Sequence, residues 1–455
     1  MVKISTIKGI LWFFSVLALI LSFPIQVKFM SEWPSLFPYV GIGLIILMPN
    51  HHSIYYPSQW QKPILLELLI KLYILLTILN AGWQLTFGLI TPYQFGSTIF
   101  IYIIPTIFYW YFTRRGSAYE IRVVLYALVI AGLISGIFHA YDNVLKLGFG
   151  QISDYSRDAI SYSASRGQGG EYYSDSSSMR AQLNYRSFGL LQTHTVSSTI
   201  TAFGIFAVLA LLPARKRKIR NMIIMGLGFL MVMGLTFTSI IAFIVTILLL
   251  EYKLLALINA RIPRNIIGIL FMVAFMTILF FLSIPFLFNS ELGNYITSFF
   301  TKQFHLATIG RGDTSYIGLV VDAFSGYVLG ISAFPPGILF GDGSSTSFGM
   351  VKGGDVGFIE TMARLGIPLF FAIVFGLSSI VGKLYSVISK YSEEYFTMRV
   401  RPLMIFSGCV ILFVLLMELH YSTWNAKSVL PILFFSLAIY SRYLPKDRQP
   451  KEESV

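Results

Sequence analysis

Between Asn221 and Leu250 the chain runs for thirty residues, "NMIIMGLGFLMVMGLTFTSIIAFIVTILLL", without a single charged side chain. A helix needs about twenty apolar residues to cross a hydrocarbon core of ~30 Å. Inside lipid the backbone must satisfy its own hydrogen bonds, which only helices and closed barrels achieve. Barrel strands read as short alternating segments, whereas these runs are continuous. The sequence therefore predicts an all-α, polytopic integral membrane protein. Its composition agrees, with 55% hydrophobic and only 12% charged residues.

Apolar periods place helices near 9–27, 36–49, 64–88, 96–113, 122–141, 193–213, 221–236, 238–256, 265–288, 366–383, 402–420 and 427–443. The thirty-residue run is too long for one crossing, so it is divided near "LTFTS" (235–239) into two helices. The first run, "GILWFFSVLALILSF", follows Lys3 and Lys8, but Phe23, Pro24 and Ile25 stand where a cleavage site would need small residues. It reads as a retained helix. About twelve crossings put both termini on one side. The single cysteine, Cys409, lies in an apolar run and excludes an intramolecular disulfide.

The net charge of +13 is distributed by topology rather than by a nucleic-acid footprint. Lys3 and Lys8, Arg114 and Arg115, the run "ARKRKIRN", Lys253 to Arg264, Lys383 to Arg401 and the tail "RYLPKDRQPKE" all fall on one face under this arrangement. Positive-inside bias makes that face cytoplasmic, and no nucleic-acid partner is expected. One transmembrane domain, 1–455, then carries two long outer segments, 142–192 and 289–365. Loops of that length are functional or disordered. The apolar patch "YIGLVVDAFSGYVLGISAF" suits a helix resting on the membrane, which marks the second segment as ordered.

Both outer segments carry cations, Arg157, Arg166, Arg180 and Arg186 in the first and Arg311, Lys352 and Arg364 in the second. Arg186 stands where the chain re-enters the membrane, and Arg311 lies between Gly310 and Gly312. The planar guanidinium fork matches phosphate oxygens, and flanking glycines allow close backbone approach. In "GGDVGFIETMARLGIP", Asp355 has the position of a helix cap, and Glu360 and Arg364 stand at i and i+4. Two readings remain for each: Asp355 as cap or proton acceptor, Glu360 and Arg364 as an intrahelical pair or as substrate contacts. His194, eight residues after Arg186 at a helix mouth, is either an interfacial histidine or a proton carrier. No Asp-x-Asp pair, His/Cys cluster or Gly-rich phosphate loop is present, so no metal or cofactor is called for.

These stretches resemble one family. "RSFGLLQTH" is similar to the Arg-x-x-Gly entry motif of O-antigen polymerases and ligases, and "LTFTSIIAFIVTILLL" resembles the helical hairpin that follows it there. "ILFGDGSS" and "GGDVGFIETMARLGIPLF" resemble the glycine turn and helix start that close the family's large periplasmic loop. The resemblance covers roughly residues 180–380. Asp355 stands where ligases usually show histidine, and neither Arg186 nor Arg311 is followed by glycine eleven residues on.

The resemblance implies a GT-C-like membrane glycosyltransferase with its large loop between the ninth and tenth crossings. It would act at the periplasmic face of a bacterial inner membrane. Donor and acceptor would be undecaprenyl-diphosphate-linked oligosaccharides, with membrane lipid around the tails and a chain-length regulator as a further partner. Arg186 and Arg311 would stabilise the departing diphosphate, with Asp355 as base and His194, Arg180, Lys352, Glu360 and Arg364 contacting substrate. Ligation of finished chains to a lipid core, and flipping of lipid-linked oligosaccharides, are the alternative activities.

Overall fold

The computed structural model describes residues 4–29, 37–48, 64–88, 90–149, 153–165, 189–191, 193–212, 217–234, 236–250, 320–321, 324–325, 327–328, 337–341, 357–390, 400–419 and 426–443. Among them the regular structure is helical throughout: α1 (Ile4–Ile20), α2 (Ser22–Phe29), α3 (Phe37–Leu47), α4 (Ile64–Thr86), α5 (Pro92–Thr98), α6 (Thr106–Arg114), α7 (Ala118–Phe149) and α8 (Asp154–Ser165). The second half contributes α9 (His194–Leu211), α10 (Arg217–Met233), α11 (Phe237–Leu250), α12 (Gly337–Phe340), α13 (Gly357–Leu365), α14 (Ile367–Lys390), α15 (Val400–Met417) and α16 (Leu430–Tyr443). Among the described residues five spans are long and apolar enough to cross a bilayer, 64–86, 95–114, 118–142, 367–388 and 400–417, and α1 with α2 makes a sixth if the bent pair is one span. Four shorter apolar helices accompany them. The chain is a helical membrane protein. The expected helix at 265–288 lies outside the described residues.

Local chemistry explains where the helices depart from straight rods. α1 and α2 meet at 64°. Pro24 has no N–H to offer the carbonyl of Ile20, so the ladder breaks there. A second proline, Pro105, interrupts the span 95–114. A π-turn, Ile99–Ile103, precedes it, and Thr106 Oγ1 donates to the carbonyl of Ile103 at 2.7 Å. The hydroxyl satisfies a carbonyl next to the break. The thirty-residue uncharged run divides as its length requires, α10 ending at Met233 and α11 starting at Phe237.

The core is a seam of α7, α9, α15 and α16, with α1 and α6 against its flank. α7 and α9 cross where Gly132 and Gly204 face each other. A Cβ on Gly132 would stand 3.0 Å from the Gly204 Cα, so small residues set this close approach. Around the crossing the two helices exchange hydroxyl bonds, Ser135 Oγ donating to the Ser197 carbonyl at 3.1 Å and Thr201 Oγ1 to the Gly132 carbonyl at 3.4 Å.

The bundle has two chemically distinct ends. At one, Ser117 and Glu120 form a capping box at the start of α7: Glu120 N–H donates to Ser117 Oγ at 3.1 Å, and Ser117 N–H to Glu120 Oε2 at 2.5 Å. The buried carboxylate also accepts from Tyr111 Oη at 2.8 Å. Arg442 donates to the carbonyls of Phe112 and Gly116, and Arg115 to that of Ile46. Chain direction places Lys8, Arg114, Lys218, Arg220, Lys383 and Arg401 at this same end. We call it the Arg115 end. Glu120→Ala leaves two buried donors unmatched at once. It should destabilise the protein by about 2–4 kcal/mol, read as a lowered unfolding temperature in detergent, while Glu120→Gln recovers part of the loss.

Candidate functional site

The opposite end gathers the segments singled out by sequence. α9 begins there with His194, and Thr193, in extended conformation, caps it by accepting from the Val196 N–H at 3.2 Å. α13 carries Glu360 and Arg364, which form the intrahelical ion pair that their i, i+4 spacing predicts. Their side chains are 19% and 14% exposed, so the pair is largely withdrawn from water. Asp355, Arg186, Arg311, Arg180 and Lys352 lie outside the described residues.

What holds α13 in place is long-range. Gly341 (φ +69°) and Gly366 (φ +79°) meet backbone to backbone: a Cβ on Gly366 would fall 2.3 Å from the Leu339 carbonyl oxygen, and one on Gly341 2.2 Å from that of Arg364. Two side chains of α4 reach this junction. Asn80 Nδ2 donates to the Arg364 carbonyl at 3.1 Å, and Gln84 Nε2 to Asn80 Oδ1 at 2.6 Å and the Gly341 carbonyl at 3.5 Å. Non-helical backbone inside a membrane bundle needs such partners. Asn80 stands six residues before the end of α4, or ~9 Å along it, so the junction is sunk into the bundle.

On the other side of α13, Thr361 Oγ1 donates to Glu418 Oε2 at 2.8 Å, and Glu418 is 7% exposed. Glu418 follows the last residue of α15. α15 runs antiparallel to α9, with Phe413 5.9 Å from both Phe203 and Phe206. Glu418, five residues beyond Phe413, thus stands against the first two turns of α9.

A second buried carboxylate lies across α9, on α7. Asp142 is 2% exposed; its Oδ2 accepts from Ser156 Oγ at 3.0 Å, whereas Oδ1 has no hydrogen-bond partner among the described residues. His139, also buried, is one turn away on the same face. Its ring fills the space left by Gly234, where a Cβ would stand 2.7 Å from Cε1 and Nδ1. Tyr155 Oη donates to the Leu190 carbonyl at 2.6 Å. Burial, with the Asp142 charge adding to it, pushes the phenol well up, so it remains a donor.

His139, Asp142 and Glu418 were not among the residues expected from sequence. The readable signal is ionisable side chains within or at the end of apolar helices, in "FHAYDN" and "LLMELH", which mark function by default. α7 also continues to Phe149, and α8 occupies 154–165, so part of the expected outer loop is helix. The His194 end thus collects two buried carboxylates, a capped helix start and a largely buried arginine–glutamate pair. Such a set can accept protons and hydroxyl hydrogens and hold an anion. Among the described residues no group of three or more His, Cys, Asp or Glu side chains is placed to bind a metal. No protein-family model matches the chain, and no curated protein matches it.

Proposed function

We propose that the chain is a membrane glycosyltransferase of the O-antigen polymerase type. It joins polyprenyl-diphosphate-linked oligosaccharide units at the outer leaflet of a bacterial inner membrane. In this reading the Arg115 end is cytoplasmic, as are both termini, and the full chain makes about twelve crossings in a GT-C-like arrangement. The reaction breaks the bond between the donor's anomeric carbon and phosphate, forms one to an acceptor hydroxyl, and releases the diphosphate with the electron pair.

The observation that supports the reading most is the closure at Gly341 and Gly366. Gly341 of "FGDGSS" and Gly366 of "ARLGIP", which belong to the stretches that resemble the family signature, are held against each other at the end opposite the basic cluster. The position of Asp142 supports this reading over a flippase. Transporter sites lie near the bilayer midplane. Asp142 lies ~36 Å along α7 from its start, farther than the ~30 Å of a hydrocarbon core, and so near the rim. Purified protein incubated with one lipid-linked repeat unit is expected to give a ladder of longer saccharides. Translocation of the unit with no new glycosidic bond would overturn the proposal, and transfer of preformed chains to a lipid core without a ladder would make the protein a ligase.

A further inference from the structure

We infer that the Asp142 carboxylate binds a hydroxyl group of the saccharide substrate, and that α8 is a latch over it whose Ser156 hydroxyl occupies the ligand's place. The identity of the ligand rests on the proposed function; the latch does not.

The starting point is the unmatched oxygen. An ionised carboxylate offers about four lone-pair sites, and among the described residues Asp142 has one protein donor, Ser156 Oγ. Holding that single bond needs no charge, since an asparagine carbonyl accepts equally well. A carboxylate buried in the last two turns of α7 with a free acceptor is instead what a ligand with several hydroxyls requires. An anionic ligand is disfavoured by like charge, which assigns the diphosphate elsewhere. A divalent cation takes six to eight oxygens in the case of calcium, and no acidic cluster stands nearby among the described residues.

The element over Asp142 is held along one face. In the first turn of α8, Ser156 Oγ donates to Asp142, Tyr155 Oη donates to the Leu190 carbonyl, and the Tyr155 ring meets Phe138 of α7 edge-on at 5.0 Å. Beyond that turn, Ala159 and Tyr162 pack with Phe23 and Val27 of α2 in a small cluster separate from the main core. Asp154, Arg157 and Asp158 face outward. Breaking two hydrogen bonds, lifting the Tyr155 ring off Phe138 and parting the contact with α2 exposes the carboxylate while the Gly132–Gly204 crossing of α7 and α9 stays in place. Tyr155 also ties this movement to Leu190, four residues before the start of α9.

Ala159 is fully buried against α2 and reports detachment directly. With Cys409→Ser as background, Ala159→Cys in the purified protein should react with a water-soluble maleimide slowly but measurably. Adding Tyr155→Phe or Asp142→Ala should speed the reaction at least tenfold, and each variant tests the latch alone should the other fail to fold. Equal rates in parent and variants overturn the latch. In the ladder assay, Asp142→Asn should raise KM for the lipid-linked unit about tenfold and leave kcat within twofold. Ser156→Ala should not raise KM. An Asp142→Asn enzyme with unchanged KM overturns the binding role. Labelling does not depend on turnover, so a wild type that makes no ladder counts against the proposed function while the latch is still judged on its own.

Discussion

Replacing Gly366 with alanine is expected to remove about 2–5 kcal/mol of stability, a large effect for one methyl group. The residue sits at φ +79°, where a side chain adds steric strain of its own. The new Cβ would also lie 2.3 Å from the Leu339 carbonyl oxygen and 3.0 Å from the Gly341 amide nitrogen. These are backbone atoms and cannot swing aside as a side-chain tip does. Relief requires parting α12 from α14, which disturbs the carbonyls held by Asn80 and Gln84. The measurement is thermal unfolding of the purified protein in detergent, with Gly226→Ala as control. A Cβ at Gly226 meets nothing within 4 Å, so that variant should unfold within about 0.5 kcal/mol of the parent. If Gly366→Ala unfolds together with that control, the glycine junction does not hold α13 in place. Gly341→Ala should behave like Gly366→Ala, because the two residues make one contact from opposite sides.

That junction also marks the limit of what sequence made legible. Helix positions follow from apolar period and uncharged length, which are local, so α4, α9 and α16 fall within a few residues of their expected bounds. The division at 235–239 follows from length alone, and the Glu360–Arg364 pair from helical spacing. The meeting of Gly341 with Gly366 is not local, and neither is the reach of Asn80 from α4 to Arg364. Nothing in the pattern of α4 says which carbonyl its asparagine will find. α8 escaped for a different reason: "DYSRDAISYSAS" is too polar to look like a buried element, and its packing rests on a few residues facing α2. Asp142 and His139 were hidden by position. At the boundary between an apolar run and a polar one, an aspartate reads as the first residue of a loop, although here the helix carries it on and buries it.

Alanine at Arg186 or at Arg311 is expected to cut polymer formation by about 10²–10³-fold each, with protein abundance unchanged. In the proposed reaction, the electron pair of the broken bond to the anomeric carbon goes to the diphosphate. A guanidinium is worth most where that charge develops, because it stays cationic and meets two oxygens at once. Lysine at either position keeps the charge and loses the fork, so partial activity is expected, about tenfold down. The assay is the rate of ladder formation by purified protein from one lipid-linked unit. Parent rates in both alanine variants would remove the arginines from the mechanism. Arg364 supplies the contrast that gives the result meaning. Its guanidinium is already neutralised by Glu360 in a largely buried pair, and its own carbonyl anchors α13 through Asn80. To serve a diphosphate it must first give up that carboxylate. Arg364→Ala should therefore lower the unfolding temperature as well as the rate, whereas Arg186→Ala and Arg311→Ala lower the rate alone. A cation that binds the leaving group is thus told from one that holds the site together by whether activity falls without stability.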